Sequence, residues 1–164
     1  MSVSGSGSAE RVVGRLLRRK DLTLAVAESC TGGLIGDRLT DVAGSSRYYA
    51  GGVIAYSDAA KITVLGVRKQ TLDTWGAVSE QTVKEMAAGI CRRLGTQVGV
   101  AVSGIAGPGG GSKAKPVGLV YICVRAGKRV LVERYRFRGG RRKVKEQSAA
   151  AALLLCRMVL EGKA

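Results

Sequence analysis

Hydrophobic and polar positions along the chain follow two periodicities, which predict helices and strands in alternation. Apolar residues three and four positions apart predict helices over residues 9–19, from about 31 to 39, 79–94 and 141–160. Short, mostly apolar runs predict strands at residues 22–27, 48–56, 97–102, 117–124 and 130–137. Residues 57–61 are expected to turn into a short helix, and residues 67–77 are expected to be irregular.

The order of these elements predicts the fold class. Strands that alternate with helices over the first two thirds of the chain imply a parallel sheet covered on both faces. The last two strands are joined across Ala126-Gly127, so they form a hairpin that makes the sheet mixed. We therefore expect a single α/β domain over residues 9–164. The small and polar residues 1–8 are expected to be a flexible leader.

The 164 residues include no histidine, which limits the catalytic and metal-binding chemistry open to the chain. This excludes Ser-His-Asp triads, Cys-His nucleophiles and HExxH zinc sites. An enzyme of this composition takes its base from Lys, Tyr, Asp or Glu. The four cysteines form no CxxC pair, so we expect no metal site and reduced thiols in a cytoplasmic protein. No apolar run approaches the roughly 18 residues of a membrane helix, so no membrane partner is expected.

The charge is strongly positive and unevenly distributed. The net charge is +15, from 27 basic and 12 acidic residues. Residues 125–145 contain ten of the basic residues and a single acid, Glu133. Such a balance favours a phosphorylated small molecule or nucleic acid as partner, or serves solubility alone. Aromatic residues are only 4% of the chain, which disfavours stacking platforms for nucleic-acid bases.

A polar corner follows the first predicted strand and reads ESCTGG over residues 28–33. Ligands of open α/β sheets bind at the carboxyl ends of the strands, where a helix N-terminus presents free N–H groups. Ser29 and Thr31 fit two roles at such a corner. One is a nucleophile beside an oxyanion hole, and the other is a cap of the following helix.

The segment from Tyr56 to Lys61 supplies a candidate base. Without histidine, a lysine beside a serine hydroxyl is the group expected to take the proton. Burial or a neighbouring positive charge lowers a lysine pKa enough for this. Tyr56, at the end of its strand, can orient or relay the proton. The alternative is a surface lysine and a core tyrosine.

Two further segments suit anions. Residues 103–113 are rich in glycine, so their backbone N–H groups can approach an anion closely, although a flexible loop is the alternative. This segment matches neither GxxxxGK[ST] nor GxGxxG, so no ATP or dinucleotide cofactor is expected. The basic residues 138–145 open the last helix, and a helix N-terminus with adjacent arginines suits a phosphate.

At these same residues the sequence resembles the CinA C-terminal family, the nicotinamide-nucleotide amidases, over roughly residues 10–160. The resemblance is carried by AESCTGG (27–33), GSSRYYAGGVIAYS (44–57), GAVS (76–79), SGIAGPGGGS (103–112) and KPVG (115–118). Two positions depart from the family pattern. A family GDR stands here as Gly139-Gly140-Arg141, and a later family arginine stands as Lys145.

The resemblance implies a three-layer α/β/α sandwich with a five-stranded mixed sheet. It also implies hydrolysis of the carboxamide of nicotinamide mononucleotide to nicotinate mononucleotide and ammonia, without a cofactor. Ser29 would be the nucleophile, Lys61 its base and Tyr56 their neighbour, with Cys30 ranked below Ser29. Backbone N–H groups of residues 30–33 are the expected oxyanion site. The expected substrate-binding residues are Glu28, Cys30, Thr31, Gly32, Gly33, Ser46, Ser103, Gly104, Gly107, Pro108, Gly109, Gly110 and Arg141.

The resemblance also implies self-association, as a homodimer or a higher homo-oligomer. Two other functions stay open at this point. One is a catalytically weak module that binds a nucleotide without turnover. The other is a basic protein associated with nucleic acid, whose binding would depend steeply on salt.

Overall fold

The computed structural model describes residues 7–164, so the first six residues of the expected leader lie outside the described part of the chain. Six helices and five strands follow one another in the described residues. They are α1 (Ala9–Lys20), β1 (Leu24–Glu28), α2 (Leu34–Thr40), a 3₁₀ turn (Ser45–Arg47), β2 (Tyr49–Ile54), α3 (Asp58–Leu65), α4 (Lys69–Trp75), α5 (Glu80–Leu94), β3 (Val98–Gly104), β4 (Leu119–Ala126), β5 (Arg129–Arg136) and α6 (Arg141–Glu161).

The five strands form one mixed sheet in the order β2-β1-β3-β4-β5. Strand β1 pairs in parallel with β2 and β3, and β4 runs antiparallel to β3 and β5. Helices α1, α2 and α6 pack on one face, and α3, α4 and α5 pack on the other. The expected α/β/α sandwich with a mixed sheet and a final hairpin is therefore confirmed.

The central strands present side chains of different size to the two faces. Leu24 and Val26 of β1 join the core under α6, whereas Ala25 and Ala27 point toward α5. On β3, a Cβ at Gly99 would come 2.6 Å from the carbonyl oxygen of Ala87 in α5. Because β1 and β3 present only alanine, glycine and serine to it, α5 packs close to the centre of the sheet.

Close packing also fixes α3 against α5. A Cβ added at Gly89 of α5 would overlap the carbonyl oxygen of Leu65 at the end of α3. Glycine at this position therefore lets the end of α3 rest directly on the backbone of α5. The contact matters for the site described below, because α3 carries Lys61.

Two expectations for local structure are wrong. Residues 69–75 form α4 where irregular chain was expected, because Thr71 and Leu72 bury one side of a short helix. Helix α2 begins at Leu34 and not near Thr31. Gly32 and Gly33 have φ of 61° and 103°, so these residues form a turn before the helix.

No helix within residues 7–164 combines the length and the apolar composition needed to cross a lipid bilayer.

Candidate active site

A pocket of about 200 Å³ opens where the parallel strands β1, β2 and β3 end. This edge of the sheet is where open α/β folds bind ligands, since the loops after the strands diverge there. The pocket is lined by Ser29, Cys30, Tyr56, Asp58, Lys61, Ala77, Val78, Ser103, Gly104, Ala106 and Arg141.

A serine hydroxyl and a buried lysine amine meet inside this pocket. Nζ of Lys61 lies 3.2 Å from Oγ of Ser29 and 2.9 Å from the carbonyl oxygen of Tyr56. Ser29 directly follows β1, and its N–H donates to the carbonyl of Val102 in β3. Lys61 is only 1% exposed, so it is not the surface lysine that the sequence left open as an alternative.

Helix α3 begins where it does because of a cap. The hydroxyl of Ser57 accepts a hydrogen bond from the N–H of Ala60, at 3.1 Å. Asp58, the next residue, is the first of the helix, and Lys61 follows three residues later. The expected short helix after Tyr56 is thus confirmed, and its first turn places Lys61 over Ser29.

The surroundings of Lys61 disfavour its charged form. Burial lowers the pKa of Lys61 below its usual 10.5, because the ammonium loses contact with water. The carboxylate of Asp58, 4.0 Å away, acts in the opposite direction. Burial therefore outweighs the neighbouring charge, and Lys61 loses its proton more easily than an ordinary lysine.

Cys30 lies beside Ser29 but is not activated as a nucleophile. Burial raises the pKa of its thiol to about 11, and the charge of Glu28 adds to this. The ammonium groups of Lys61 and Lys145 only partly offset the increase. At neutral pH the thiol stays protonated, and the protonated form is a weak nucleophile.

The carboxylate of Glu28 caps α2 from the end of β1. It accepts hydrogen bonds from the N–H groups of Gly33, Ile35 and Gly36, at 3.1, 3.1 and 2.8 Å. A buried anion at a helix N-terminus satisfies N–H groups that the helix itself leaves unpaired. Neither Ser29 nor Thr31 caps the helix. The carboxylate of Glu28 is thus engaged by the protein, and its assignment to substrate binding stays a prediction.

The turn after Ser29 leaves two N–H groups for an oxyanion. The N–H of Gly32 donates to the carbonyl of Ser29, and that of Gly33 donates to Glu28. Within residues 7–164, the N–H groups of Cys30 and Thr31 donate to no other residue. The buried hydroxyl of Thr31 also lacks a hydrogen-bond partner among the described residues.

Helix α6 brings two cations to the pocket. One N–H of the Arg141 guanidinium donates to the carbonyl of Gly107 at 2.8 Å, and another donates to the hydroxyl of Tyr56 at 2.9 Å. One turn further along, the amine of Lys145 would lie 3.6 Å from a Cβ added at Gly32. The last residue of the predicted basic segment, Lys145, therefore lies beside the turn that follows Ser29.

Two predicted residues make contacts that the sequence did not indicate. The hydroxyl of Ser103 donates to the carbonyl of Ala77 at 2.7 Å, which holds the segment between α4 and α5 against the pocket. Tyr56 is 60% exposed, so it is not a core tyrosine. Its hydroxyl accepts a hydrogen bond from Arg141, and its backbone carbonyl accepts one from Lys61.

The structure brings together only part of the predicted site. The predicted residues that line the pocket are Ser29, Cys30, Tyr56, Lys61, Ser103, Gly104 and Arg141. Gly107 does not line the pocket, but its carbonyl accepts a hydrogen bond from Arg141, which does. Residues 108–110 form the exposed tip of their loop. Ser46 lies in the 3₁₀ turn before β2, at the opposite end of the sheet from Ser29. The geometry of this chain gives Ser46 no contact with the pocket, and its role stays a prediction.

Four lining residues were missed by the sequence reasoning: Asp58, Ala77, Val78 and Ala106. Asp58 stands inside the segment that supplied Lys61, so its charge was available as a signal. Ala77 and Val78 have no reactive side chains. Their segment is held at the pocket by the hydrogen bond from the hydroxyl of Ser103 to the carbonyl of Ala77, two residues that are 26 positions apart in the sequence.

Comparison with known proteins identifies relatives of this chain. A family model described as the CinA C-terminal domain matches residues 6–160. A putative competence-damage inducible protein of Desulforudis audaxviator is 48% identical over 155 residues, which cover 94% of this chain and 38% of that protein. A CinA-like protein of Kosmotoga olearia is 46% identical, with 95% of this chain and 38% of the relative covered. The chain thus spans little more than a third of these relatives.

Solved structures share the fold over nearly their whole length. The competence/damage inducible protein CihA from Agrobacterium tumefaciens has a TM-score of 0.88 and 41% identity, with 98% of this chain and 99% of that chain covered. A CinA superfamily protein from Enterobacter cloacae has a TM-score of 0.90 and 32% identity, with 98% and 96% covered.

The capping role of Glu28 predicts the effect of its removal. Glu28→Ala leaves three N–H groups without their acceptor, so we expect the free energy of unfolding to fall by about 1–3 kcal/mol. Urea denaturation measures this change. Glu133→Ala, which removes an exposed carboxylate from β5, is the matched control and should change stability by less than about 0.5 kcal/mol. Equal stability of the two variants would contradict the capping role.

Proposed function

The chain belongs to the CinA C-terminal domain family, and we propose that it hydrolyses the carboxamide of nicotinamide mononucleotide to nicotinate mononucleotide and ammonia. One observation carries the proposal: the buried amine of Lys61 lies 3.2 Å from the hydroxyl of Ser29, in a pocket at the carboxyl ends of parallel strands. A hydroxyl beside a lysine of lowered pKa is the arrangement that activates a serine without histidine.

Acylation begins with Lys61 in its neutral form. Ser29 then donates its hydroxyl proton to the lone pair of Lys61, and Oγ attacks the carbonyl carbon of the carboxamide. The resulting tetrahedral intermediate carries a negative oxygen. The ammonium of Lys61 returns the proton to the departing nitrogen, ammonia leaves, and an ester to Ser29 remains.

Deacylation repeats the same steps with water. A water molecule in the position vacated by ammonia gives a proton to Lys61 and attacks the ester carbon. The bond to Oγ of Ser29 breaks, the serine recovers the proton, and the carboxylic acid is released. The carbonyl oxygen of Tyr56 holds the Lys61 amine at 2.9 Å, which keeps its lone pair directed toward the reacting atoms.

The negative oxygen of both intermediates needs hydrogen-bond donors fixed in advance. The N–H groups of Cys30 and Thr31 follow the nucleophile directly and donate to no other residue within residues 7–164. They are the donors that we assign to the oxyanion. Glu28 supports this arrangement indirectly, because it fixes the next part of the turn through the N–H of Gly33.

The phosphate of the substrate is assigned to the start of α6. Arg141 has five N–H donors, and its bonds to Gly107 and Tyr56 use two of them. The remaining donors, the free N–H groups of the helix N-terminus and the amine of Lys145 suit an anion just outside the pocket. At about 200 Å³ the pocket suits the ring and its carboxamide, so the ribose phosphate would extend outward.

The test of this proposal is ammonia release from nicotinamide mononucleotide. Ser29→Ala removes the nucleophile, so we expect kcat/KM to fall by at least about 10³-fold. The matched control is Cys30→Ala, which changes the neighbouring side chain and should keep turnover within about tenfold of the original, since its thiol is protonated. A folded original chain that releases no ammonia, or a Ser29→Ala variant that retains full activity, would contradict the proposal.

The lowered pKa of Lys61 predicts how turnover depends on pH. Only neutral Lys61 accepts the proton of Ser29, so kcat/KM should rise about tenfold per pH unit while Lys61 is mostly protonated. The rise should level off below pH 10.5, the usual lysine pKa, because burial lowers the pKa of this side chain. A pH–rate profile measures it. A rate that falls with increasing pH between 6 and 9 would contradict the role of Lys61 as base.

A further inference from the structure

Asp58 is the one acidic residue among residues 7–164 that lines the pocket, and the proposed reaction gives it no role. Asp58 opens α3 directly after the Ser57 cap, and Oδ1 of its carboxylate lies 4.0 Å from Nζ of Lys61. Its side chain is 62% exposed, whereas Lys61 is buried. The carboxylate is therefore open to solvent and lines the pocket that holds the Ser29–Lys61 pair, where a bound ligand can contact it.

The charge of Asp58 is balanced only while Lys61 is protonated. Among residues 7–164, Lys61 is the one basic side chain within 4.0 Å of this carboxylate. The cation on the other side of the pocket, Arg141, is bonded to Gly107 and Tyr56. When Lys61 becomes neutral to act as a base, the carboxylate of Asp58 has no cation beside it. A ligand that carries positive charge into the pocket restores the balance.

We propose that Asp58 is the counterion of a positively charged substrate ring, and thus a specificity-determining residue that selects pyridinium carboxamides over neutral aromatic amides. The inference rests on the proposed function and deepens it. A pyridine ring whose nitrogen is bonded to ribose carries a fixed positive charge. Because the carboxamide is attached directly to the ring, a substrate whose carbonyl carbon contacts Ser29 places that charge in the same small pocket that Asp58 lines.

The same contact couples substrate binding to the state of Lys61. The titratable side chains that act on Lys61 are Asp58 on its own helix and Cys30 after β1. The backbone carbonyl of Tyr56 after β2 accepts its hydrogen bond, Arg141 of α6 lines the same pocket, and Lys145 of α6 acts on the neighbouring Cys30. Of these, the negative charge of Asp58 favours the ammonium form. A cationic ring takes Asp58 as its counterion and repels the ammonium, so the Lys61 proton passes to solvent water. A cationic substrate thereby helps to create the neutral base, and a neutral ring does not.

The test compares two nucleotides that differ in ring charge. One is nicotinamide mononucleotide, and the other is its benzamide C-nucleotide isostere, which keeps the carboxamide and the ribose phosphate on a neutral benzene ring. The readout is the ratio of kcat/KM for ammonia release from the two compounds, in the original chain and in Asp58→Asn. Intrinsic differences in amide reactivity cancel when the two ratios are compared.

We expect Asp58→Asn to lower the preference for the cationic nucleotide about tenfold, the effect of losing one partly exposed charge a few ångströms away. Its kcat/KM for the neutral nucleotide should level off at a lower pH than in the original chain, because the carboxylate no longer favours the ammonium of Lys61. Asp73→Asn is the matched control. It removes an exposed carboxylate that pairs with Lys69 in α4, away from the pocket, and should leave the ratio unchanged.

An unchanged ratio in a folded Asp58→Asn variant would overturn the inference while leaving the proposed function intact. A binding measurement further distinguishes failure of this inference from failure of the proposed function. Calorimetric affinities for both nucleotides are measured in Ser29→Ala and in the Ser29→Ala, Asp58→Asn double variant. If the original chain releases no ammonia, the proposed function fails, yet a loss of preference in the double variant still supports Asp58 as counterion. Equal preference in both variants would overturn it.

Discussion

The hydrogen bond between the buried amine of Lys61 and the hydroxyl of Ser29 depends on the end of β1 and the first turn of α3 meeting at the same edge of the sheet. On one side, β1 delivers Ser29, and the carboxylate of Glu28 fixes the glycine turn that follows through three N–H groups. On the other side, α3 delivers Lys61 and rests on α5 at Gly89. Small residues of β1 and β3 let α5 in turn pack close to the sheet. The packing of the core thus sets the distance on which the chemistry depends.

The site is governed by a balance of charges in a small volume. Burial lowers the pKa of Lys61, while Asp58 opposes that effect from the solvent side. Arg141 and Lys145 of α6 supply positive charge at the opposite wall, where a phosphate is expected. A substrate with a cationic ring and an anionic phosphate matches this arrangement, with its ring near Asp58 and its phosphate near Arg141 and Lys145. Most of the basic segment 125–145 is not needed for the match, since only the first turns of α6 reach the pocket.

The sequence predicted the parts of the fold that depend on local pattern. Long amphipathic helices and apolar strands were recognised, whereas α4 was missed because its seven residues bury only Thr71 and Leu72. The pairing of Ser29 with Lys61 was expected from the absence of histidine and from the family resemblance, although their contact spans 32 positions. Asp58 and the segment at Ala77 were not expected. Their places in the pocket follow from tertiary contacts that no local pattern records.

The most direct measurement of the central claim is mass spectrometry of the protein quenched in acid during turnover of nicotinamide mononucleotide. We expect a covalent adduct equal in mass to the substrate minus ammonia. Peptide mapping should locate it as an ester on Ser29, because the neutral amine of Lys61 activates that hydroxyl. An adduct on Cys30, or on any residue other than Ser29, would contradict the account.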